Sequence, residues 1–428
     1  MIRLIPALLL SGLATLAHAE TIAIVGAKVH TLGPQGDIDN ATIVIRDGRI
    51  AAVSDNIEVP ADATRVDAAG KVVTPGIFSA YGQLGLTEVS AVDQSVDFYQ
   101  SGSDYTAAFD IADAYNPRST LIAINRAGGV TRALTAPAPG YESGSVFSGL
   151  AAVIRLGESE PHVAQPRAAM VVNLGNTGSA LSGGSRAAAL LAMRTALDDA
   201  IDYRRNKDAY DRGQRRDYSI SRADLEALQT VVAGRTPLVV NVHRAADISV
   251  LADIADEYRL KVVVYGGAEA WMVADRLAQS RIAVILDPKS NLPASFDQIN
   301  ARLESPAILA DAGVEIAFGG DWQTETYAAR NATQAAGNAV SNGLSWSRAL
   351  AAITIGPARM FGVDDLVGSI EAGKEADLVI WGADPLELTS NPEQVIIGGE
   401  RQSLVNRQTL LRDRYLQMDS EKPPAFRH

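Results

Sequence analysis

Between residues 21 and 73, short apolar runs recur at strand spacing. Segments 22–25, 41–45, 50–53 and 72–73 are rich in Ile, Val and Ala, and Asp47-Gly48 and Ala69-Gly70 mark turns between them. Alternation bounded by such turns predicts a small antiparallel sheet. After Pro75-Gly76 the pattern changes. Strand-like segments 237–242, 261–265, 283–286 and 314–318 alternate with Ala-rich helical segments 186–203, 221–232, 248–258 and 268–277. Alternation of this kind implies a parallel sheet covered by helices, most simply a (β/α)8 TIM-type barrel.

Past Phe361 the strand-and-turn character returns, with 376–381 apolar between Gly-Lys, Gly-Ala and Gly-Gly turns. The expected organisation is therefore α/β: a barrel over 75–361, and one small β-sandwich domain assembled from 20–74 and 362–428. The charged stretch 202–217 reads as a solvated helix end or loop, since its acids nearly cancel its bases.

The first nineteen residues have another character. Arg3 precedes a mostly apolar run over 5–16, and Ala17-His18-Ala19 is a small-x-small cleavage site. The run is short for a bilayer span, which needs ~20 residues, and no cysteine follows it to carry a lipid. The expectation is a signal peptide over 1–19 and a mature chain from Glu20, periplasmic or secreted, with no stable membrane anchor.

Composition narrows the chemistry. A formal net charge of −12 argues against nucleic acid and anionic membrane surfaces, which need clustered positive charge, and leaves a small-molecule substrate or ligand as the expected partner. The chain has no cysteine, which removes disulfides, thiolate nucleophiles and cysteine metal sites. Any metal must be held by His, Asp, Glu, Asn, Gln or a modified Lys.

Several segments resemble the amidohydrolase superfamily, in particular its imidazolonepropionase-like and exported dipeptidase-like branches. Gly70-Lys71-Val72-Val73-Thr74-Pro75-Gly76-Ile77 resembles the junction of sheet domain and first barrel strand. Residues 354–358, Gly368-Ser369-Ile370 and Gly373-Lys374-Glu375-Ala376-Asp377-Leu378-Val379 resemble the return into the sheet, and Gly129-Val130-Thr131, 241–248 and Gly319-Gly320-Asp321 resemble barrel strand ends. The resemblance implies hydrolysis by a metal-bound water at the carboxyl ends of the strands. Its ligands would be a His-x-His pair on strand 1, a carboxylated Lys or Glu on strand 4, one His each on strands 5 and 6, and an Asp on strand 8 that also acts as base.

Position by position, this chain departs from that set. Tyr81 and Gln83 stand at the His-x-His positions, Asn173 at the strand-4 position and Gly266 at the strand-6 histidine. Lys207, in the charged stretch, is the one lysine between 81 and 243, and no histidine lies between His243 and His428. His243 and Asp321 match strands 5 and 8. Two such ligands are too few for tight zinc binding unless Gln83, Asn173, Tyr81 or Glu269 adds an oxygen. The expected cofactor is one weakly held divalent ion, zinc or a harder ion, or none, and a binuclear zinc site is not expected.

On this reading Asp321 and His243 are the catalytic candidates and also the metal candidates, with Gln83 and Asn173 as weaker ligands. Tyr81, Gln83 and Arg244 are candidate substrate contacts. Plainer roles stand beside these: Asp321 as a helix cap, His243 as a buried histidine, and Tyr81 and Gln83 as filling for the space of lost ligands. His162 reads as a loop residue. Gly183-Gly184-Ser185-Arg186 reads as a helix start capped by Ser185, with anion binding as its rival; Ala187 breaks the Gly-x-Ser-x-Gly pattern of a serine hydrolase. Two functions remain open: a hydrolase of C–N bonds in a small substrate with Asp321 as general base, and a catalytically silent barrel that binds a ligand, forms a homo-oligomer or pairs with an active paralogue.

Overall fold

The computed structural model describes residues 21–102, 105–140, 144–319 and 328–416. Residues 1–19, expected as a signal peptide ending at Ala17-His18-Ala19, and Asp321 lie outside these residues.

The two ends of the chain pair with each other. Strands β1 (Ile22–His30), β2 (Asp37–Arg46), β3 (Arg49–Ser54), β4 (Thr64–Asp67) and β5 (Val72–Pro75) come before the barrel, and β14 (Leu378–Trp381), β15 (Pro392–Ile397) and β16 (Glu400–Gln402) come after it. They form one sheet in the order β16-β15-β14-β5-β1-β2-β3, with β4 beside β1. The β-rich unit expected as a sandwich is thus joined, by its pairing, into a single sheet. Strand β1 serves two neighbours on one side: its first half pairs with β4 and its second half with β5. The register shift between them falls at Gly26, whose φ of +83° suits glycine and leaves a bulge where the strand changes partner. The central seam is antiparallel, with Leu378 opposite Pro75 and Trp381 opposite Val72. There Trp381 Nε1 donates to Thr74 Oγ1 at 2.9 Å.

The barrel sheet runs β6 (Ile77–Gly82), β7 (Val130–Thr135), β8 (Phe147–Arg155), β9 (Val163–Asn173), β10 (Leu238–Val242), β11 (Val262–Gly266), β12 (Ala283–Leu286) and β13 (Ile316–Phe318), each beside the next. Adjacent pairs are parallel except that β8 is antiparallel to both β7 and β9. This corrects the expectation of a uniform (β/α)8 array: two short connections replace helical crossovers here, and seven strands point one way. The seam between β13 and β6 is bridged by the loop after helix Trp346–Ala351, where Phe318 N donates to Ala352 O at 3.1 Å and Phe78 N to Ile353 O at 2.8 Å.

Side-chain alternation sorts each strand into two faces. In β10, Leu238, Val240 and Val242 pack outward with the helices, among them Ile248 and Leu251 of helix Ala245–Tyr258, while Val239 packs inward. Val171, Val263, Ile285 and Ala317 share that inner cluster with Val239 and close the barrel floor. Barrel and sheet are locked together by buried Arg132 of β7, which binds Asp377 at 2.7 Å and also pairs with Glu375. Charges this deep are tolerated because they are mutually hydrogen-bonded.

Candidate functional site

Two residues beyond the inner floor, the same parity brings Asn173, Asn241, Tyr265, Asp287 and Gly319 to the carboxyl ends of the strands. All five line one cavity of about 710 Å³, together with Tyr81, Gln83 and His243. In barrel proteins this end carries the chemistry.

His243 follows β10 directly and keeps its inward parity. Its Nε2 lies 3.2 Å from the Gln298 side-chain amide nitrogen, an arrangement that assigns the ring proton to Nδ1. That Nδ1 is buried and has no hydrogen-bond partner among the described residues. Burial holds the imidazole below its usual pKa, while the charges of Asp297 and Glu269 pull it upward without overcoming burial. The ring is therefore a neutral one.

Gly266, at the strand-6 position, has φ of +91°, and a Cβ built on it would sit 2.4 Å from His243 Cε1 and 2.9 Å from both ring nitrogens. The ring of His243 occupies the space that any side chain at 266 would enter.

The other sequence candidates have defined partners. Tyr81 stacks on Tyr265 with ring centroids 4.0 Å apart, and its hydroxyl donates to Pro137 O at 3.3 Å; burial pushes its pKa upward. Gln83 is buried on the cavity wall. Asn173 Nδ2 donates to Ser148 Oγ at 2.8 Å, and its Oδ1 accepts from Asn241 Nδ2 at 3.4 Å. Arg244 does not line the cavity: its guanidinium binds Asp247 at 2.6 Å, at the start of helix Ala245–Tyr258. The ion pair engages it within its own helix turn, with the side chain 40% exposed. Lys207 lies on helix Arg186–Asp211 and pairs with Glu226. Ser185 holds the N-cap position of that helix but makes no side-chain capping bond, so it is an N-cap by backbone alone. His162 lies in the connection from β8 to β9.

Sequence reasoning missed Asp297 and Gln298. Asp297 is buried and accepts from Asn176 N at 3.1 Å, Asn176 Nδ2 at 2.8 Å and Ser295 Oγ at 2.5 Å. Burial alone would raise its pKa, but the hydrogen bonds from Ser295 and from the Asn176 backbone outweigh it and hold the group below the usual carboxylate value. Glu269 accepts from Ala245 N at 3.0 Å with one oxygen and from Asn300 N and Nδ2 with the other. Asp297 and Glu269 together anchor the segment carrying Gln298 against His243.

A tightly held zinc ion needs three protein donors and an open position. Among the described residues no group of three His, Asp or Glu side chains could hold a metal. The reason is visible donor by donor: both carboxylates near His243 are saturated by backbone and amide donors, Asn173 is engaged on both sides, and the Tyr81 hydroxyl turns to a carbonyl. The described residues do not fit a resident zinc site.

A helix-covered barrel with a polar cavity at its carboxyl-end mouth is the scaffold of a small-molecule enzyme or binder. Comparison with known proteins shows which ones the chain resembles. The model of the Amidohydrolase family matches residues 198–401. An amidohydrolase structure from Thermotoga maritima MSB8 superposes with a TM-score of 0.79 at 26% sequence identity, covering 89% of this chain and 99% of that one. Among curated proteins, amidohydrolase tasK of Hapsidospora irregularis is 23% identical over 396 residues, 84% of this chain but 39% of that protein. Imidazolonepropionase of Mycolicibacterium smegmatis is 38% identical over 93 residues, 19% of this chain and 22% of that enzyme. The chain spans well under half the length of these curated relatives. In sequence and in fold the chain is thus similar to proteins of the amidohydrolase superfamily.

Proposed function

We propose that the chain is an exported hydrolase that cleaves a C–N bond of a small amide, lactam or dipeptide bound at the barrel mouth. The observation that carries this reading is the cavity of about 710 Å³ over His243, a size suited to a small ligand, on a fold shared with amidohydrolases. Asp321 acts as the general base. It takes a proton from water as the oxygen bonds to the carbonyl carbon, and returns that proton to the departing nitrogen as the C–N bond breaks. His243 stays neutral and orients the substrate by packing its ring against it. No step is routed through a metal, because the described donors do not fit one.

The test is a panel of small amides, cyclic amides and dipeptides offered to the mature protein, with products read by mass spectrometry. Cleavage that disappears in Asp321→Asn supports the reading. Cleavage retained in full by that variant, with an intact fold, places the active site elsewhere.

One observation favours a second reading, a silent barrel that binds a ligand or pairs with a paralogue. The His243 ring fills the space of a strand-6 ligand and is held there by Gln298. Saturable binding without turnover on any member of the panel would select it.

A further inference from the structure

The charge of the cavity is one-sided. Among the described residues that line it, Asp93 and Asp287 are the charged ones and neither Lys nor Arg is present. Behind His243 stand Asp297 and Glu269, whose hydrogen-bond donors among the described residues are neutral groups: backbone amides, Asn side chains and the Ser295 hydroxyl. Among the described residues, their negative charge is therefore spread over dipoles without a cation in direct contact. Arg244, close enough to interact with both acids, is bound to Asp247.

Asp287 follows β12 at the carboxyl end of its strand. Its side chain is 27% exposed, and Lys289 Nζ stands at 3.7 Å, the long edge of ion-pair distance. The backbone N–H of Lys289 donates to the same oxygen at 3.0 Å and fixes the carboxylate in a turn. Beside it the cavity presents aromatic surface: the Tyr81–Tyr265 stack on the floor, and Phe98 against Tyr99 with centroids 5.3 Å apart. A low-dielectric pocket with carboxylates and aromatic faces attracts a cation by charge and by the ring quadrupoles together, and repels an anion.

We propose that the cavity selects a cationic ligand, one whose amine or guanidinium group is seated at Asp287 against the aromatic walls, with its amide portion toward His243. The polar amides of Asn241 and Gln298 complete a lining suited to a peptide-like group. This deepens the hydrolase reading by naming the substrate class, and rests on that reading only in placing the functional site in this cavity.

The experiment reads binding, so its failure is separate from failure of turnover. The full protein is titrated by calorimetry with three probes of matched size whose α-amine is blocked: N-acetyl-alanyl-lysine amide, N-acetyl-alanyl-norleucine amide and N-acetyl-alanyl-glutamate amide. The lysine probe is expected to bind at least tenfold tighter than the norleucine probe and the glutamate probe weakest. The lysine preference should shrink with added salt. In Asp287→Asn the lysine preference should fall to within threefold, with thermal unfolding unchanged enough to show an intact fold. Asp93→Asn should reduce it in part. Equal or tighter binding of the norleucine or glutamate probe, a preference untouched by Asp287→Asn, or no binding of any probe at millimolar concentration overturns the proposal. Lysine-selective binding with no cleavage upholds the cation site and counts against the hydrolase.

Discussion

The imidazole of His243 and the backbone of Gly266 share one space: a Cβ on residue 266 would come within 2.4 Å of the ring. Gly266→Ala is therefore expected to destabilise the fold, by about 1–3 kcal/mol for the overpacking and further because φ of +91° strains any residue with a side chain. In a His243→Ala background the overpacking part disappears, so the double variant loses less than the sum of the two single ones. Denaturant unfolding of the four proteins measures this. For the same steric reason, Tyr81→His, Gln83→His and Gly266→His combined are expected to unfold the barrel mouth rather than recreate a zinc site.

Metal content follows from the donor set. Protein purified without chelator is expected to carry well below one zinc ion per chain by elemental mass spectrometry, and a chelator should leave thermal unfolding unchanged. Two tightly held zinc ions per chain would overturn this expectation outright.

Asp321→Asn retains size and hydrogen-bonding shape but cannot accept a proton, so turnover should fall by about 10²- to 10⁴-fold with little effect on substrate binding. His243→Ala should raise KM and lower kcat together, since it removes the group that orients the substrate. Steady-state kinetics on the best panel substrate separates the two effects.

Stability should depend on pH through His243. Its pKa is lowered in the folded protein, so the unfolded chain takes up a proton first as pH falls. The contribution of the neutral ring is complete above the unfolded pKa of about 6.5 and is lost as pH drops below it. The unfolding midpoint should decline between pH 7.5 and 5.5, and His243→Gln should flatten that part of the curve.

Asp297 ties Asn176 to the segment that carries Gln298. Asp297→Ala removes both hydrogen bonds that hold Asn176, a net cost of about 1 kcal/mol for each. Hydrogen exchange over 295–300 should accelerate more than exchange in β10 or β11. Unchanged exchange there would show that Glu269 alone anchors the segment.

Much of the architecture was legible because periodicity reports which face is buried. Segments 237–242, 261–265 and 283–286 fall on β10, β11 and β12, and their alternation also carried a signal left unread. Counting two residues on from the inward Val263 and Ile285 gives Tyr265 and Asp287, both on the cavity. The reversal of β8 was not legible, since an apolar run such as 147–155 has no direction; Gly157 and Pro161 in the following turn were the available hint of a hairpin. Asp297 and Gln298 sit in a stretch without periodicity, and only the tertiary fold brings them to His243. The contact between His243 and Gly266 is of the same kind, because each residue alone reads as ordinary.

The seam between β5 and β14 also has a time dimension. Pro75 and its partner Leu378 are separated by the whole barrel, so during synthesis at ~5–20 residues per second β5 waits on the order of 15–60 s for the strand that pairs with it. Throughout that interval its unpaired edge is open to the wrong neighbour. The N-terminal strands must therefore be kept from association until nearly the whole chain has been made, and a chain truncated before residue 378 would carry this open edge for good.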